Sequence, residues 1–289
     1  MRVAGFVLIL CALPLLTGCG SDSGSEAERM AEEHEGDTPT ATEAAQAPKI
    51  PVEGRTVTYG QQNGTARTGY LAAPADVDSV RSARAGDALP GIVVIHEWWG
   101  LNDNVRAATR RLAGEGYRAL AVDLYGGAVA ETPDSAQALM GQAMGEPSRL
   151  VENVRDGRAY LSSVADAPRT ALLGWCFGGG MTYRTLAEEA SAFDAAVAYY
   201  GTPDPLAGEA LQALETPILA HFGTQDQAVP IDAARKFRDR MEDAGTSLAY
   251  HEYDAGHAFA NPTGESYEPA AAEQAWTRTT DFLQTHLTR

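Results

Sequence analysis

The chain has 289 residues, of which 44% are hydrophobic and 21% are charged, and its formal net charge is -17 at pH 7. This length and composition predict one large or two small globular domains. The excess of acidic residues argues against nucleic acid and anionic lipid surfaces as partners, because both repel negative charge.

The first 18 residues have the pattern of an export signal. A single cation precedes the apolar run 3–16, which is too short, and too interrupted by Pro14, for a permanent membrane-spanning helix. The run ends in Leu-Thr-Gly-Cys19, which resembles the lipobox of bacterial lipoproteins. We expect residues 1–18 to be a lipoprotein signal peptide and Cys19 to carry a lipid, with the protein exported and anchored on the periplasmic or cell-surface side of a bacterial membrane. The alternative is a plain signal peptide that leaves a soluble secreted protein.

Residues 19–50 are predicted to form a disordered acidic tether. They are rich in Ser, Gly, Glu, Ala and Thr, so they cannot bury enough apolar surface to order themselves, and their charges favour an extended chain. Residues 51–289 are predicted to form a single domain. If Cys11 leaves with the signal and Cys19 carries the lipid, Cys176 is the one cysteine of that domain, which excludes an internal disulfide.

From residue 51 onward the hydrophobic pattern predicts alternating strands and helices. The predicted strands are 56–59, 67–72, 90–95, 118–123, 170–173, 195–200, 217–222 and 248–253, and the first two form an antiparallel hairpin. The predicted helices are 103–114, 148–163, 179–190, 231–244 and 270–286. Residues 128–145 interrupt this alternation, either as a lid or pocket wall or as a plain surface excursion. The pattern indicates the α/β class, with a mostly parallel, doubly wound sheet and helices on both faces.

One cysteine stands in a motif typical of a catalytic turn. The apolar strand 170–173 leads into Gly174-Trp175-Cys176-Phe177-Gly178, and a predicted helix follows. Glycines two residues before and after a nucleophile are typical of a strand-to-helix elbow, where neighbouring backbone comes too close for a Cβ atom. The positive end of the helix dipole favours a thiolate at Cys176. The alternative is an ordinary buried cysteine in a chance match to G-x-C-x-G.

Two further candidate residues follow strands near the end of the chain. Asp226 comes after strand 217–222, and His257 comes after strand 248–253. In open parallel sheets catalytic groups gather at the carboxyl ends of strands, and the order nucleophile, acid, histidine is that of α/β-hydrolases. An imidazole near the sulfur can take and return a proton, while a carboxylate fixes its tautomer. Taken singly, His257 also fits a core or capping histidine, and Asp226 a turn former or helix N-cap.

Several motifs together resemble one protein family. They are spread, at consistent spacing, over essentially all of residues 51–289. They are His96-Glu97-Trp98-Trp99-Gly100-Leu101-Asn102, Asp123-Leu124-Tyr125, Gly174-Trp175-Cys176-Phe177-Gly178-Gly179, Tyr199-Tyr200-Gly201, Asp226 with Val229-Pro230, and Gly256-His257-Ala258-Phe259. The domain is similar to the dienelactone hydrolase family, which implies an α/β-hydrolase fold and an ester or lactone hydrolase of the carboxymethylenebutenolidase class.

The resemblance also implies roles for individual residues. Cys176 would be the nucleophile, and Asp226 and His257 would complete a triad. Glu97 would be the additional carboxylate that such enzymes keep beside the thiol to control its ionisation. The oxyanion hole would be formed by the backbone N–H groups of two residues, Trp98 and Phe177.

The chain departs from the family at two positions that bind the substrate. Dienelactone hydrolases hold the carboxylate of their substrate with two arginines, and this chain has Gly127 and Asn261 in those places. Neither residue can bind a carboxylate bidentately, so an uncharged or mostly apolar ester or lactone is expected. Aromatic side chains flank the predicted site and are expected to line its pocket beside Asn261. They are Trp98, Trp99, Tyr125, Trp175, Phe177 and Phe259. The alternative is that Trp98 and Trp99 pack beneath the loop.

The sequence therefore predicts an enzyme that hydrolyses a small ester or lactone through a thioester. It predicts no metal, no organic cofactor, no nucleic acid and no protein partner. One alternative is a catalytically silent lipoprotein that binds a small hydrophobic ligand on a hydrolase scaffold. Another is metal-dependent hydrolysis through His96, Glu97 and His257, although these residues lack a recognised ligand spacing.

Overall fold

The computed structural model describes residues 31, 34, 37, 47–84 and 88–288. The signal peptide predicted at 1–18 and the lipid predicted on Cys19 lie outside these residues, and so does most of the tether predicted at 19–50. All three stay predictions. Among the residues that the structure describes, no helix combines the length and the apolar character needed to cross a bilayer.

Eight strands form a single sheet. They are β1 (Val52–Gln62), β2 (Thr65–Pro74), β3 (Gly91–Ile95), β4 (Arg118–Val122), β5 (Thr170–Trp175), β6 (Ala195–Tyr199), β7 (Ile218–Gly223) and β8 (Leu248–Tyr253). The order across the sheet is β1-β2-β4-β3-β5-β6-β7-β8. The pairs β1–β2 and β2–β4 are antiparallel, and all other neighbours are parallel. This confirms the predicted mostly parallel sheet and the entry hairpin, whose strands are longer than predicted.

Eight helices connect and cover the strands in the described part of the chain. They are α1 (Val77–Ala83), α2 (Asp103–Gly114), α3 (Pro133–Met144), α4 (Pro147–Ser163), α5 (Phe177–Glu188), α6 (Gly208–Gln212), α7 (Ile231–Asp243) and α8 (Pro269–Leu287). The segment predicted to interrupt the alternation contains α3, which begins with a capping box between Thr132 and Ser135. Helix α5 begins two residues earlier than predicted, because the turn after β5 passes directly into helical backbone.

The centre of the sheet is buried on both faces. Every residue of β3, β5 and β6 is buried, as expected for parallel strands covered by helices on both sides. Because β3, β5, β6, β7 and β8 are parallel neighbours, their carboxyl ends lie along one edge of the sheet. The loops after four of these strands carry the predicted catalytic side chains.

Candidate active site

Cys176 lies in a strained turn between β5 and α5. Its φ angle of 54° is in the left-handed region that residues with a side chain rarely adopt. A Cβ atom on Gly174 would lie 2.2 Å from the carbonyl oxygen of Gly178, and one on Gly178 would lie 2.4 Å from that of Ile95. The two glycines therefore allow the close approach of backbone that the sequence predicts. Phe177, the first residue of α5, has a backbone N–H that no carbonyl of its own helix can accept.

His257 and Asp226 meet at the same edge of the sheet. Nδ1 of His257 lies 2.8 Å from Oδ2 of Asp226. The other oxygen of Asp226 accepts a hydrogen bond from the backbone N–H of Val229 at 2.7 Å, which fixes the carboxylate. A ring nitrogen of His257 and Sγ of Cys176 lie within 4.8 Å of each other. Since Nδ1 faces Asp226, the nitrogen left for the thiol is Nε2.

The electrostatic surroundings favour an ion pair between Cys176 and His257. Burial raises the pKa of the Cys176 thiol, but the neighbouring imidazoles of His257 and His34 outweigh it and lower the pKa to about 7. Burial lowers the pKa of His257, but the charges of Asp226 and Cys176 outweigh it and hold the pKa well above its usual value. At neutral pH a substantial fraction of the sulfur is therefore thiolate beside a protonated imidazole.

Glu97 follows β3 and is held by two polar side chains. Its Oε2 accepts a hydrogen bond from Nδ2 of Asn261 at 2.8 Å, and its Oε1 faces the hydroxyl of Tyr200 at 3.5 Å. Burial and the nearby Cys176 sulfur raise the pKa of Glu97 to about 8, although His34 and His257 act in the opposite sense. Asn261, expected to line the pocket, thus also positions Glu97. Sequence reasoning gave Tyr200 no role.

His96 precedes Glu97, and its ring lies beside those of Tyr125 and Phe177. Its Nδ1 lies 2.6 Å from the carbonyl oxygen of Glu97, and its Nε2 accepts the backbone N–H of Leu124 at 3.1 Å. Burial lowers the pKa of His96, in keeping with a neutral ring. Both ring nitrogens are engaged by the backbone, which argues against His96 as a metal ligand with Glu97 and His257.

The aromatic residues predicted to line the pocket fall into two groups. Trp175 lines a cleft together with Glu97 and Asn261, whose lining does not include Cys176 or His257. By contrast, Trp99 and Phe259 are buried in the hydrophobic core, at 1% and 0% exposure. Trp98 and Phe177 are buried as well, and Tyr125 is half-buried with its ring 5.7 Å from that of Phe177.

One residue at the site was not anticipated from the sequence. His34, from the segment predicted to be a tether, is only 1% exposed, and its ring lies 4.9 Å from Trp98 and 5.5 Å from His257. Its Nδ1 contacts Oδ2 of Asp37 at 2.5 Å, and Oδ1 of Asp37 accepts the backbone N–H of Glu265. No periodicity surrounds His34 and Asp37, so the only signal was their spacing of three residues.

Comparisons with known proteins identify the family of the chain. The model of the dienelactone hydrolase family matches residues 76–287. The chain is 31% identical over 203 residues to carboxymethylenebutenolidase from Pseudomonas sp. (strain P51), and this match covers 68% of this chain and 84% of that protein. It is 29% identical over 243 residues to protein usf from Aquifex pyrophilus, and this match covers 79% of this chain and 97% of that protein. A dienelactone hydrolase-like promiscuous phosphotriesterase from metagenomic libraries has a similar fold, with a TM-score of 0.71 and 22% identity. The match covers 82% of this chain and 99% of that protein.

Proposed function

Because this chain belongs to the dienelactone hydrolase family and is a hydrolase of esters or lactones, we propose that Cys176, His257 and Asp226 are its catalytic triad. The contact of 2.8 Å between Nδ1 of His257 and Asp226 carries the proposal, because it directs the free side of the imidazole toward the thiol. The lowered pKa of Cys176 adds support, since thiolate is the attacking species.

The proposed reaction proceeds in two steps. The thiolate of Cys176 attacks the carbonyl carbon, the new S–C bond forms, and the C–O bond to the leaving group breaks. His257 gives its proton to the departing alkoxide, leaving a thioester on Cys176. Water then attacks the thioester while His257 takes its proton, the S–C bond breaks, and the carboxylic acid leaves. Asp226 holds the imidazole in the tautomer that both steps need.

Two backbone N–H groups are proposed to stabilise the oxyanion. Phe177 offers its N–H at the positive end of α5, and Trp98 follows β3 in the adjacent loop. Glu97 is proposed to tune the thiol. With its pKa raised to about 8, a large share of Glu97 is protonated at neutral pH and does not repel the Cys176 thiolate.

The substrate is proposed to be a neutral or mostly apolar ester or lactone. Arg111 is the one cationic side chain among the described residues that line the cleft, and its Nη2 lies 2.9 Å from Oε2 of Glu273. Its guanidinium also lies 3.9 Å from the ring centroid of Trp276. Since this cation is already paired, and Asn261 stands on this wall where the family has one of its two carboxylate-binding arginines, the cleft offers no free cation to a carboxylate. Faster turnover of carboxylate-bearing lactones than of neutral aryl esters would contradict this proposal.

The triad is tested by hydrolysis of p-nitrophenyl butyrate in Cys176→Ala. We expect a loss of about 10⁴-fold or more, together with the loss of the initial burst that a thioester intermediate produces. Gly141→Ala, on a helix position with open space around it, is the control for handling and folding. Unchanged turnover in Cys176→Ala would remove this cysteine from the mechanism, and ligand binding without turnover in the unaltered chain would favour a silent hydrolase scaffold.

The proposed location is the exported face of a bacterial membrane, through a lipid on Cys19. The proposal depends on the sequence pattern of residues 1–19. Cells fed a radiolabelled fatty acid should label the wild-type protein and leave Cys19→Ser unlabelled. Equal labelling of both proteins would exclude Cys19 as the attachment point.

A further inference from the structure

His34 brings a second imidazole to the nucleophile from outside the catalytic sequence motifs. One ligand atom from each of His34, Cys176 and His257 lies within 4.8 Å of the other two, and all three residues are buried. The proposed hydrolysis uses only Cys176 and His257. The position of His34 therefore calls for another explanation.

The two imidazoles at the site are held in the same way. Nδ1 of His34 contacts the carboxylate of Asp37 at 2.5 Å, and Nδ1 of His257 contacts that of Asp226 at 2.8 Å. Within the described part of the chain, Nε2 of each ring is buried and has no hydrogen-bond partner of ordinary geometry. A histidine that donates Nδ1–H to a carboxylate and presents Nε2 is the usual arrangement around a bound zinc ion.

We propose that His34, Cys176 and His257 bind a zinc ion, with water as the fourth ligand. One thiolate and two imidazoles are a ligand set that zinc favours. With Zn–S and Zn–N bonds of about 2.3 and about 2.0–2.1 Å, tetrahedral ligand atoms lie about 3.3–3.6 Å apart, so side-chain shifts of roughly 1 Å close the site. Binding forms one Zn–S and two Zn–N bonds and releases to solvent the protons that these atoms carried, with no change of oxidation state.

Zinc at this position inhibits hydrolysis reversibly. The sulfur lone pair that would attack the substrate is engaged by the metal, and Nε2 of His257 can no longer exchange a proton. This inhibitory consequence depends on the proposed catalytic role of Cys176, whereas the metal site itself does not. The expected absence of metal from the catalytic reaction is compatible with such a site, because this ion blocks the reaction instead of assisting it.

The site is tested with Co²⁺ as a spectroscopic probe of the full chain. A bound thiolate gives a charge-transfer band in the near ultraviolet, and tetrahedral geometry gives intense visible bands. We expect one Co²⁺ per chain with both features. His34→Ala should weaken binding by at least about tenfold, and Asp37→Asn, which keeps all three ligands, by about 10- to 100-fold. His251→Gln, at a histidine on β8 away from this cluster, is the matched control and should bind like wild type.

Two results would overturn the proposal. One is a wild-type spectrum without the thiolate band. The other is wild-type affinity in both His34→Ala and Asp37→Asn, which would reduce the site to an incidental pairing of Cys176 and His257. Zinc should also inhibit ester hydrolysis, with an inhibition constant raised in Asp37→Asn by the factor seen with Co²⁺. If Cys176→Ala hydrolyses esters normally, the proposed function fails while the cobalt spectrum still decides the metal site.

Discussion

The groups around the Cys176 thiol counteract the effect of burial on its pKa. Two imidazoles lower its pKa to about 7, although the side chain is only 3% exposed. Burial alone would have the opposite effect and keep the proton on the sulfur. The pKa of this cysteine therefore depends on neighbours that come from other parts of the chain.

The thiol pKa predicts how alkylation responds to pH. Since only thiolate reacts, the rate with iodoacetamide should rise with pH and reach half its maximum near pH 7. In urea the imidazoles no longer face the sulfur, so the midpoint should move to about 8.5, the value of a free cysteine. Alkylation of the folded protein with a midpoint at or above that of the unfolded chain would contradict the assigned surroundings.

Residue identities explain why part of the site was predictable and part was not. Cys176, Asp226 and His257 follow β5, β7 and β8 within four residues, and parallel pairing fixes where those strand ends meet. The sequence around His34 predicts no strand, so its burial against Trp98 depends on a tertiary contact that leaves no local pattern. Asn261 was expected to face the substrate, and only its hydrogen bond to Glu97 shows its positioning role.

The elbow between β5 and α5 is the element most sensitive to side-chain volume. A Cβ atom on Gly178 would lie 2.4 Å from the carbonyl oxygen of Ile95, a backbone atom that cannot rotate away. Gly178→Ala should lower the free energy of unfolding by at least about 2 kcal/mol, because it forces β3 and α5 apart. Urea unfolding followed by circular dichroism measures the change.

Gly141 is the matched control for the elbow glycine. It lies within α3, and a Cβ atom added there meets nothing within 4 Å. Gly141→Ala should raise the free energy of unfolding by about 0.5–1 kcal/mol, because alanine is the better helix former. Equal effects of the two substitutions would show that close backbone contact does not constrain the elbow.

Strand periodicity predicted most elements, but not their ends. The central strands were predicted within one or two residues, since continuous apolar runs mark burial on both faces. The hairpin strands β1 and β2 extend further, because their exposed polar residues pair across the ribbon without any apolar signal. Helices α1 and α6 have seven and five residues, too few for a 3.6-residue period to be recognised.

At the scale of the whole molecule, a buried histidine far from the candidate site in sequence, His221, couples folding to pH. His221 on β7 has Nδ1 at 2.9 Å from the Tyr253 hydroxyl and Nε2 at 3.1 Å from Oγ1 of Thr279. These contacts join β7 to β8 and to α8. Burial, together with the charges of His251 and Arg278, holds the pKa of His221 well below 6.5.

The sign of this coupling follows from the lowered pKa. Below about pH 6.5 the unfolded chain binds a proton at His221 while the folded chain does not, so stability falls as the pH falls. One such proton contributes a slope approaching about 1.4 kcal/mol per pH unit. His221→Gln should reduce the slope of unfolding free energy between pH 6.5 and 5 by up to this amount. An unchanged slope in the variant would show that His221 titrates equally in both states.

The positions of the proposed triad residues along the chain have a consequence for biosynthesis. The elbow with Cys176 leaves the ribosome long before Asp226 and His257, which stand beyond β7 and β8. A nascent polypeptide that ends before β8 carries the thiol without the imidazole that activates it. With the proposed triad, esterase activity begins only when β8 and His257 have joined the sheet, and a product truncated before β8 does not hydrolyse esters.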